Sequence, residues 1–231
     1  MSCECCEEPA IYKCASCGKL LCSEHLHFRV ICTSHQKKRE LKYTVKKPYS
    51  DEQQRKIREL VTRFWGEETQ LTFGRKFTVP KLPAYMAELV SEPQIEPIYT
   101  DGSSLSESNT DGKIAGFVSF ANVADAMIIV ALAVLPQWQN AGIGRSLVES
   151  VEAEARKAGK KRLLVSTSND DLPALAFYQA LGFQVFEVKP NVIAKKHGRI
   201  LKGIGGLPVR DELRLQKTLK TAGSAVRLDK S

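Results

Sequence analysis

Beyond Cys32 the chain has no cysteine at all. A disulfide framework is therefore excluded for everything that follows. Long apolar runs are missing too. The longest, residues 126–135, is well short of the roughly 20 residues a membrane-crossing helix needs. At the start, Met1, Ser2, Cys3 and Glu4 offer no basic segment leading into an apolar one, so no secretory signal is read there. These absences predict a cytoplasmic chain with no membrane partner. Aromatic residues make up only 7% and do not interleave the basic cluster Lys37, Lys38, Arg39, Lys42, Lys46 and Lys47. A nucleic-acid platform needs such interleaving, so nucleic acid is an unlikely partner. Residues 91–111 lack Lys and Arg and are rich in Ser, Pro, Asp and Glu; they are read as a mobile acidic loop.

What is present is unevenly distributed. All seven cysteines fall between Cys3 and Cys32, and three of the four histidines lie between His25 and His35. Ligand-type residues form four pairs with two residues between the members: Cys3 with Cys6, Cys14 with Cys17, Cys22 with His25, and Cys32 with His35. That spacing lets two side chains on one knuckle or helical turn reach a single metal. Eight ligands make two closed tetrahedral sites, so the zinc is expected to be structural. Residues 1–36 hold too little apolar chain for a core, and metal would supply the folding energy. Cys5 and His27 are left over and either could replace an assigned neighbour. The pattern resembles the B-box zinc finger. That resemblance implies a cross-brace, Cys3, Cys6, Cys22 and His25 on one ion and Cys14, Cys17, Cys32 and His35 on the other, and a module that docks proteins. The AN1 finger is the near competitor.

After a basic connector at 37–42, hydrophobic spacing yields a strand from Tyr43. It then gives a helix over 51–65, with Ser50 as N-cap and Gly66 as stop. Further strands are expected at 69–73, 85–90, 113–123, 126–135, 162–167, 183–188 and 212–218, with helices at 144–158 and 172–181. The strand at 126–135 is apolar on both faces and so central. The fold class is α/β, a mixed sheet with helices on both faces, followed by a disordered tail at 221–231.

Two passages carry chemistry. In the first, the central strand stops at Pro136, and Gln139, Asn140, Ala141, Gly142, Ile143, Gly144 and Arg145 open an amphipathic helix. Small residues there let backbone N–H groups approach an anion, and the helix N-terminus adds its positive dipole end. In the second, a strand leads into Asn169, Asp170 and Asp171 and a helix bearing Phe177 and Tyr178, closed by Gly182.

Together the passages resemble motifs A and B of the GCN5-related N-acetyltransferase (GNAT) superfamily, over about 40–219. The resemblance implies acetyl-CoA as co-substrate, with its pyrophosphate wrapped by residues 139–145 and its pantetheine along Leu132, Ala133 and Val134. It further implies Asn169 bonded to the pantetheine, Phe177 packed beside it, and Tyr178 as the general acid for the departing thiolate. Trp138 is expected under the phosphate turn and Trp65 along the acceptor cleft. No base stands out: Asp211, Glu212, Glu67 and Glu68 are candidates, and His197 is read as a surface residue in a basic loop. The function expected is direct attack of a neutral primary amine on the thioester, with a protein amine slightly favoured over a small molecule. The alternative is a zinc-dependent adaptor that binds CoA without catalysis.

Overall fold

The computed structural model describes residues 12–13, 20–21, 41–90, 113–135, 138–203 and 207–219. The eight zinc-ligand candidates, Cys5, His27, most of the basic connector, the acidic stretch 91–111, Pro136 and the tail 221–231 lie outside the described residues. Near the N-terminus a pair of short strands is described, β1 (Tyr12–Lys13) and β2 (Leu20–Leu21), joined antiparallel.

The chain divides into two compact units, and the division falls inside two strands. The first unit, residues 40–165 with 217–231, begins with β3 (Tyr43–Lys46) and α1 (Asp51–Trp65). Helix α1 starts as its sequence dictates. Ser50 Oγ accepts from Gln53 N at 3.2 Å, while Gln53 Oε1 accepts from Tyr49 N at 3.0 Å, a reciprocal cap. Gly66 ends it in the left-handed conformation, φ 73°, its N–H bonded to Thr62 O. A hairpin follows, β4 (Thr69–Thr72) and β5 (Arg75–Thr78), turning at Phe73 and Gly74. Its second strand is absent from the sequence reading, because Arg75 and Lys76 hide the alternation in four residues.

Next come β6 (Ala84–Leu89), β7 (Ile114–Val123), β8 (Ala126–Val134), α2 (Ile143–Lys157) and β9 (Arg162–Ser168). In this unit the strand order is β9-β8-β7-β6-β3, antiparallel throughout except the parallel β8–β9 pair. The sheet is mixed, as expected, and β8 is an interior strand, flanked by β9 and β7. Ile57 and Val61 of α1 are buried against Met86, Phe117, Ala131 and Ala133 on one face. Tyr85, next to Met86, must point to the opposite face. There its hydroxyl donates to Glu154 of α2 at 2.8 Å, so the two helices cover opposite faces. Trp65 lies edge-on to Phe117, centroids 6.1 Å apart, and joins this core.

The second unit holds residues 166–216 besides the N-terminal residues. Within it are α3 (Leu172–Ala180), β10 (Gln184–Lys189), α4 (Val192–His197), β11 (Leu201–Lys202), β12 (Pro208–Val209) and β13 (Glu212–Thr218), whose last residues belong to the first unit. β10 pairs antiparallel with β13, and β11 with β12. Helix α4 stands where a basic loop around His197 is expected from the sequence. Six residues are too few to display a helical period, and it is held by Ile193 N and Ala194 N, both donating to Arg210 O. His197 is its last residue and is exposed, as expected of a surface histidine.

Candidate active site

In the first unit the site is built around the end of β8. The parallel ladder with β9 runs from Ala126↔Arg162 to Ile129↔Val165, yet β8 continues to Val134. Five more residues, from Val130 on, thus lie beyond that ladder. The β7–β8 register shifts at the same place: Ser119 pairs with Ala131 and Phe120 with Ile129, leaving Val130 as an extra residue. A bulge of this kind bends its strand and increases the local twist. That bend is a sufficient physical cause for β8 to leave β9. Ser119 Oγ, fully buried beside the bulge, has no hydrogen-bond partner among the described residues.

Gly116 keeps the other edge of β8 close. It pairs with Val134, and a Cβ on it would stand 2.6 Å from Ala133 O. The obstacle is backbone, which cannot swing aside. Leu132 and Val134 are half-buried, Ala133 is buried.

From there the chain turns into α2. Leu135 N donates to Ala115 O, Trp138 N to Leu135 O, and Gln139 Nε2 to Val134 O at 3.1 Å. Gln139 therefore ties the turn back to the strand with its side chain. Trp138 and Ala141 are buried, while Asn140 is exposed. Asn140 and Gly142 both have positive φ, 67° and 85°. Asparagine and glycine are the residues that tolerate this conformation. Gly142 is the N-cap of α2 and provides no side-chain cap. Gly142 thus brings no capping side chain to the first-turn N–H groups of Ile143, Gly144 and Arg145, and the positive end of a 15-residue helix dipole lies there. Arg145 is exposed. Two features fit a linear thioester carrying a diphosphate: a strand edge running past its ladder and an uncapped helix N-terminus two glycines wide.

The second unit, described by itself, contains the helix α3. Asp171 is its N-cap, accepting from Ala174 N at 3.1 Å and Thr167 Oγ1 at 3.3 Å; burial raises its carboxyl above the ordinary value. Residues 173–177 are only half-buried although apolar, Phe177 among them. Tyr178 is buried, its ring edge-on to Phe177 at 5.1 Å and Phe183 at 5.4 Å. Burial first, then the Asp171 charge, pushes the Tyr178 phenol far above the ordinary tyrosine range, so it stays protonated at any physiological pH.

Asn169 has a role in the fold that its place in the motif does not reveal. Its Nδ2 donates to Pro208 O at 2.7 Å, and its Oδ1 accepts from Arg210 N and Asp211 N at 3.0 and 2.9 Å. One amide thereby fixes the approach to β13. The base candidates are engaged as well. Asp211 Oδ1 accepts from Asn191 N and Oδ2 from Arg210 Nε, and these bonds hold its carboxyl below the usual range. Glu212 is buried and takes both Nε and Nη2 of Arg214. Glu68 pairs with Arg58 at 3.2 Å, and Glu67 accepts from Thr69 Oγ1. Each of these carboxylates is already engaged, which does not suit a general base. Three contributors were invisible in the sequence: the Val130 bulge, Gly116, and Tyr43, whose hydroxyl is 2.9 Å from Ser146 Oγ of α2. The first two depend on the register of β7 on β8 and the third on a strand–helix contact, none of which a local pattern encodes.

Among the described residues no helix is long and apolar enough to cross a membrane, and no cluster of His, Cys, Asp and Glu could hold a metal.

Comparison with known proteins agrees with this geometry. The sequence model of the Acetyltransferase (GNAT) family matches residues 69–183. The chain is 34% identical over 116 residues to the uncharacterized protein YxbD of Bacillus subtilis (strain 168), covering 48% of this chain and 72% of that protein. It is 31% identical over 99 residues to the [ribosomal protein bS18]-alanine N-acetyltransferase of Escherichia coli (strain K12), covering 43% of this chain and 67% of that one. Among solved structures, the IAA acetyltransferase from Bacillus cereus ATCC 14579 matches with TM-score 0.56 at 21% identity, over 77% of this chain and 100% of that one. A GNAT family acetyltransferase from Elizabethkingia anophelis with acetyl-CoA bound matches with TM-score 0.50 at 18% identity, over 77% and 98%. At such identities the solved structures speak for the fold alone. Fold, turn and family match converge: the chain belongs to the acetyltransferase (GNAT) family and is an acetyl-CoA-dependent acetyltransferase.

Proposed function

We propose that the chain transfers the acetyl group of acetyl-CoA to a primary amine by direct attack, and that the acceptor is a protein amine. The observation that carries the transfer is the departure of β8 from its parallel ladder after Ile129, leading into the uncapped N-terminus of α2. In this reading acetyl-CoA supplies an activated acyl group when bound. Backbone groups of Leu132, Ala133 and Val134 pair with its pantetheine, and the turn from Gln139 to Arg145 holds its diphosphate. A backbone N–H near Leu132 faces the thioester oxygen, where negative charge grows during attack. Phe177, half-buried on an apolar helix, packs beside the pantetheine arm, and the second hydrogen on Asn169 Nδ2 serves the same arm.

Tyr178 is the proton donor to the departing thiolate. Its protonated state favours that role; its raised pKa makes the full transfer costlier than from an exposed phenol. No carboxylate is given the base's role. The engaged state of Asp211, Glu212, Glu67 and Glu68 favours loss of one ammonium proton to water before attack; the second nitrogen proton, shed as the adduct collapses to amide and thiol, returns through solvent to the Tyr178 phenolate.

A protein acceptor is supported by the likeness to an enzyme named for acetylating an alanine of a ribosomal protein, and by the docking module read at residues 1–36. We assign that module two structural zinc ions, on Cys3, Cys6, Cys22 and His25 and on Cys14, Cys17, Cys32 and His35, following the B-box resemblance; these residues carry thiols and imidazoles in metal-binding spacing. Incubation with isotope-labelled acetyl-CoA and separate pools of small amines, amino-terminal peptides and lysine peptides, read by mass spectrometry, tests the proposal. Label on a peptide amine is expected. Label confined to small amines refutes the protein acceptor, and no label in any pool refutes transfer.

A further inference from the structure

The diphosphate turn must be held still, since its backbone donors act only if they are aimed before the ligand arrives. Gln139 ties the start of the turn to Val134 O, while Gly142, at positive φ, offers the start of α2 no side-chain cap. What reaches it from outside is Tyr43, the first residue of β3, about a hundred residues away in sequence. Its backbone is anchored by pairing with Leu89 of β6. Its hydroxyl lies 2.9 Å from Ser146 Oγ, in the first turn of α2, and 3.5 Å from where a Cβ on Gly142 would stand. Ser146 in turn donates its N–H to Gly142 O at 3.1 Å.

Tyr43 meets one end of a polar stripe on α2. Ser146, Ser150 and Glu154 recur every four residues, one face of a helix, and Ser150 Oγ donates to Ser146 O at 2.9 Å. At the far end, about 12 Å along the axis, Glu154 takes the Tyr85 hydroxyl at 2.8 Å and Lys47 Nζ at 3.2 Å. Two tyrosines from neighbouring strands thus grip one helix at two points. Only the first grip touches the turn.

We infer that Tyr43 is a positioning residue for acetyl-CoA: through Ser146 it fixes the first turn of α2, and so the aim of the backbone donors that receive the diphosphate. The inference rests on the proposed role of residues 139–145 as the diphosphate site. Tyr43 touches no reacting atom; it acts through Ser146 and Gly142. The Tyr85–Glu154 grip serves helix docking alone, which makes it an internal control of the same chemistry on the same helix.

The experiment is calorimetric titration of the full chain and its variants with CoA, with phosphorus NMR of the bound ligand. Tyr43→Phe is expected to weaken CoA binding about threefold to tenfold, the range one hydrogen bond covers. It should also shift the two diphosphate resonances while leaving that of the 3′-phosphate in place. Ser146→Ala should do the same, and the double variant no more than either single one. Tyr85→Phe should lower the melting temperature to a similar extent while CoA binds within twofold of wild type. The inference is overturned if Tyr43→Phe binds CoA as wild type does, or if Tyr85→Phe weakens it equally. Should wild type itself bind no CoA, the diphosphate reading falls and the brace with it; wild-type binding with an unaffected Tyr43→Phe removes the brace alone.

Discussion

Tyr178 is where residue-scale physics constrains the chemistry most. A phenol buried against Phe177 and Phe183, beside the Asp171 charge, holds its proton well above pH 10. Tyr178→Phe is expected to lower kcat about 10²- to 10⁴-fold, the usual worth of a positioned proton donor, with CoA affinity within a few-fold of wild type. Unchanged turnover would assign the ring a packing role only. The pH profile follows from the direction of the shift. Because the phenol stays neutral, activity should rise with pH as the acceptor amine loses its proton, with no descending limb from Tyr178 below about pH 10. A descending limb in that range that vanishes in Tyr178→Phe would contradict the buried environment. Tyr85 provides a separate titration. Burial and the bond to Glu154 raise its pKa to about 12. A phenol whose folded pKa exceeds its unfolded value of roughly 10 stabilises the fold below pH 10, and that contribution is lost as pH rises toward 12. Thermal melts of wild type and Tyr85→Phe should therefore converge across that window; parallel curves would show that Tyr85 titrates normally.

At the scale of elements, the ends of β8 and α2 decide whether a cofactor can lie between strands. Gly116→Ala places a methyl 2.6 Å from Ala133 O, in a strand pair with no flexible neighbour to yield. Overpacking of this kind costs about 1–3 kcal/mol. The displaced strand is the one the pantetheine is proposed to pair with, so CoA affinity should fall along with melting temperature. A variant that melts earlier but binds CoA normally would separate the strand end from the site. Much at this scale was legible in the sequence. The caps of α1 were readable because Ser50 and Gly66 are local signals with one physical meaning. The turn into α2 was readable because closely spaced glycines before an amphipathic helix are rare without a reason. The hairpin strand β5 and the short helix α4 were not, being too brief to show a period. Nor were the Val130 bulge and the Gly116 contact, which arise from the register of β7 on β8, or the Tyr43 brace, a contact between a strand and a helix about a hundred residues apart. Asn169 was legible as a motif residue, yet its bonds to Pro208, Arg210 and Asp211 were not.

For the whole molecule, we propose a division of labour between the thiol-rich N-terminus and the transferase domain. Removing residues 1–36 should leave transfer to a small amine intact and reduce transfer to a protein partner; equal loss on both would refute docking by that segment. The fullest test concerns the cradle on which the chemistry depends. A crystal structure of the full chain grown with acetyl-CoA should place the diphosphate within hydrogen-bonding distance of the backbone N–H groups at 142–145, and the pantetheine alongside Leu132, Ala133 and Val134. Acetyl-CoA bound elsewhere, or absent from crystals grown at saturating concentration, would contradict the account.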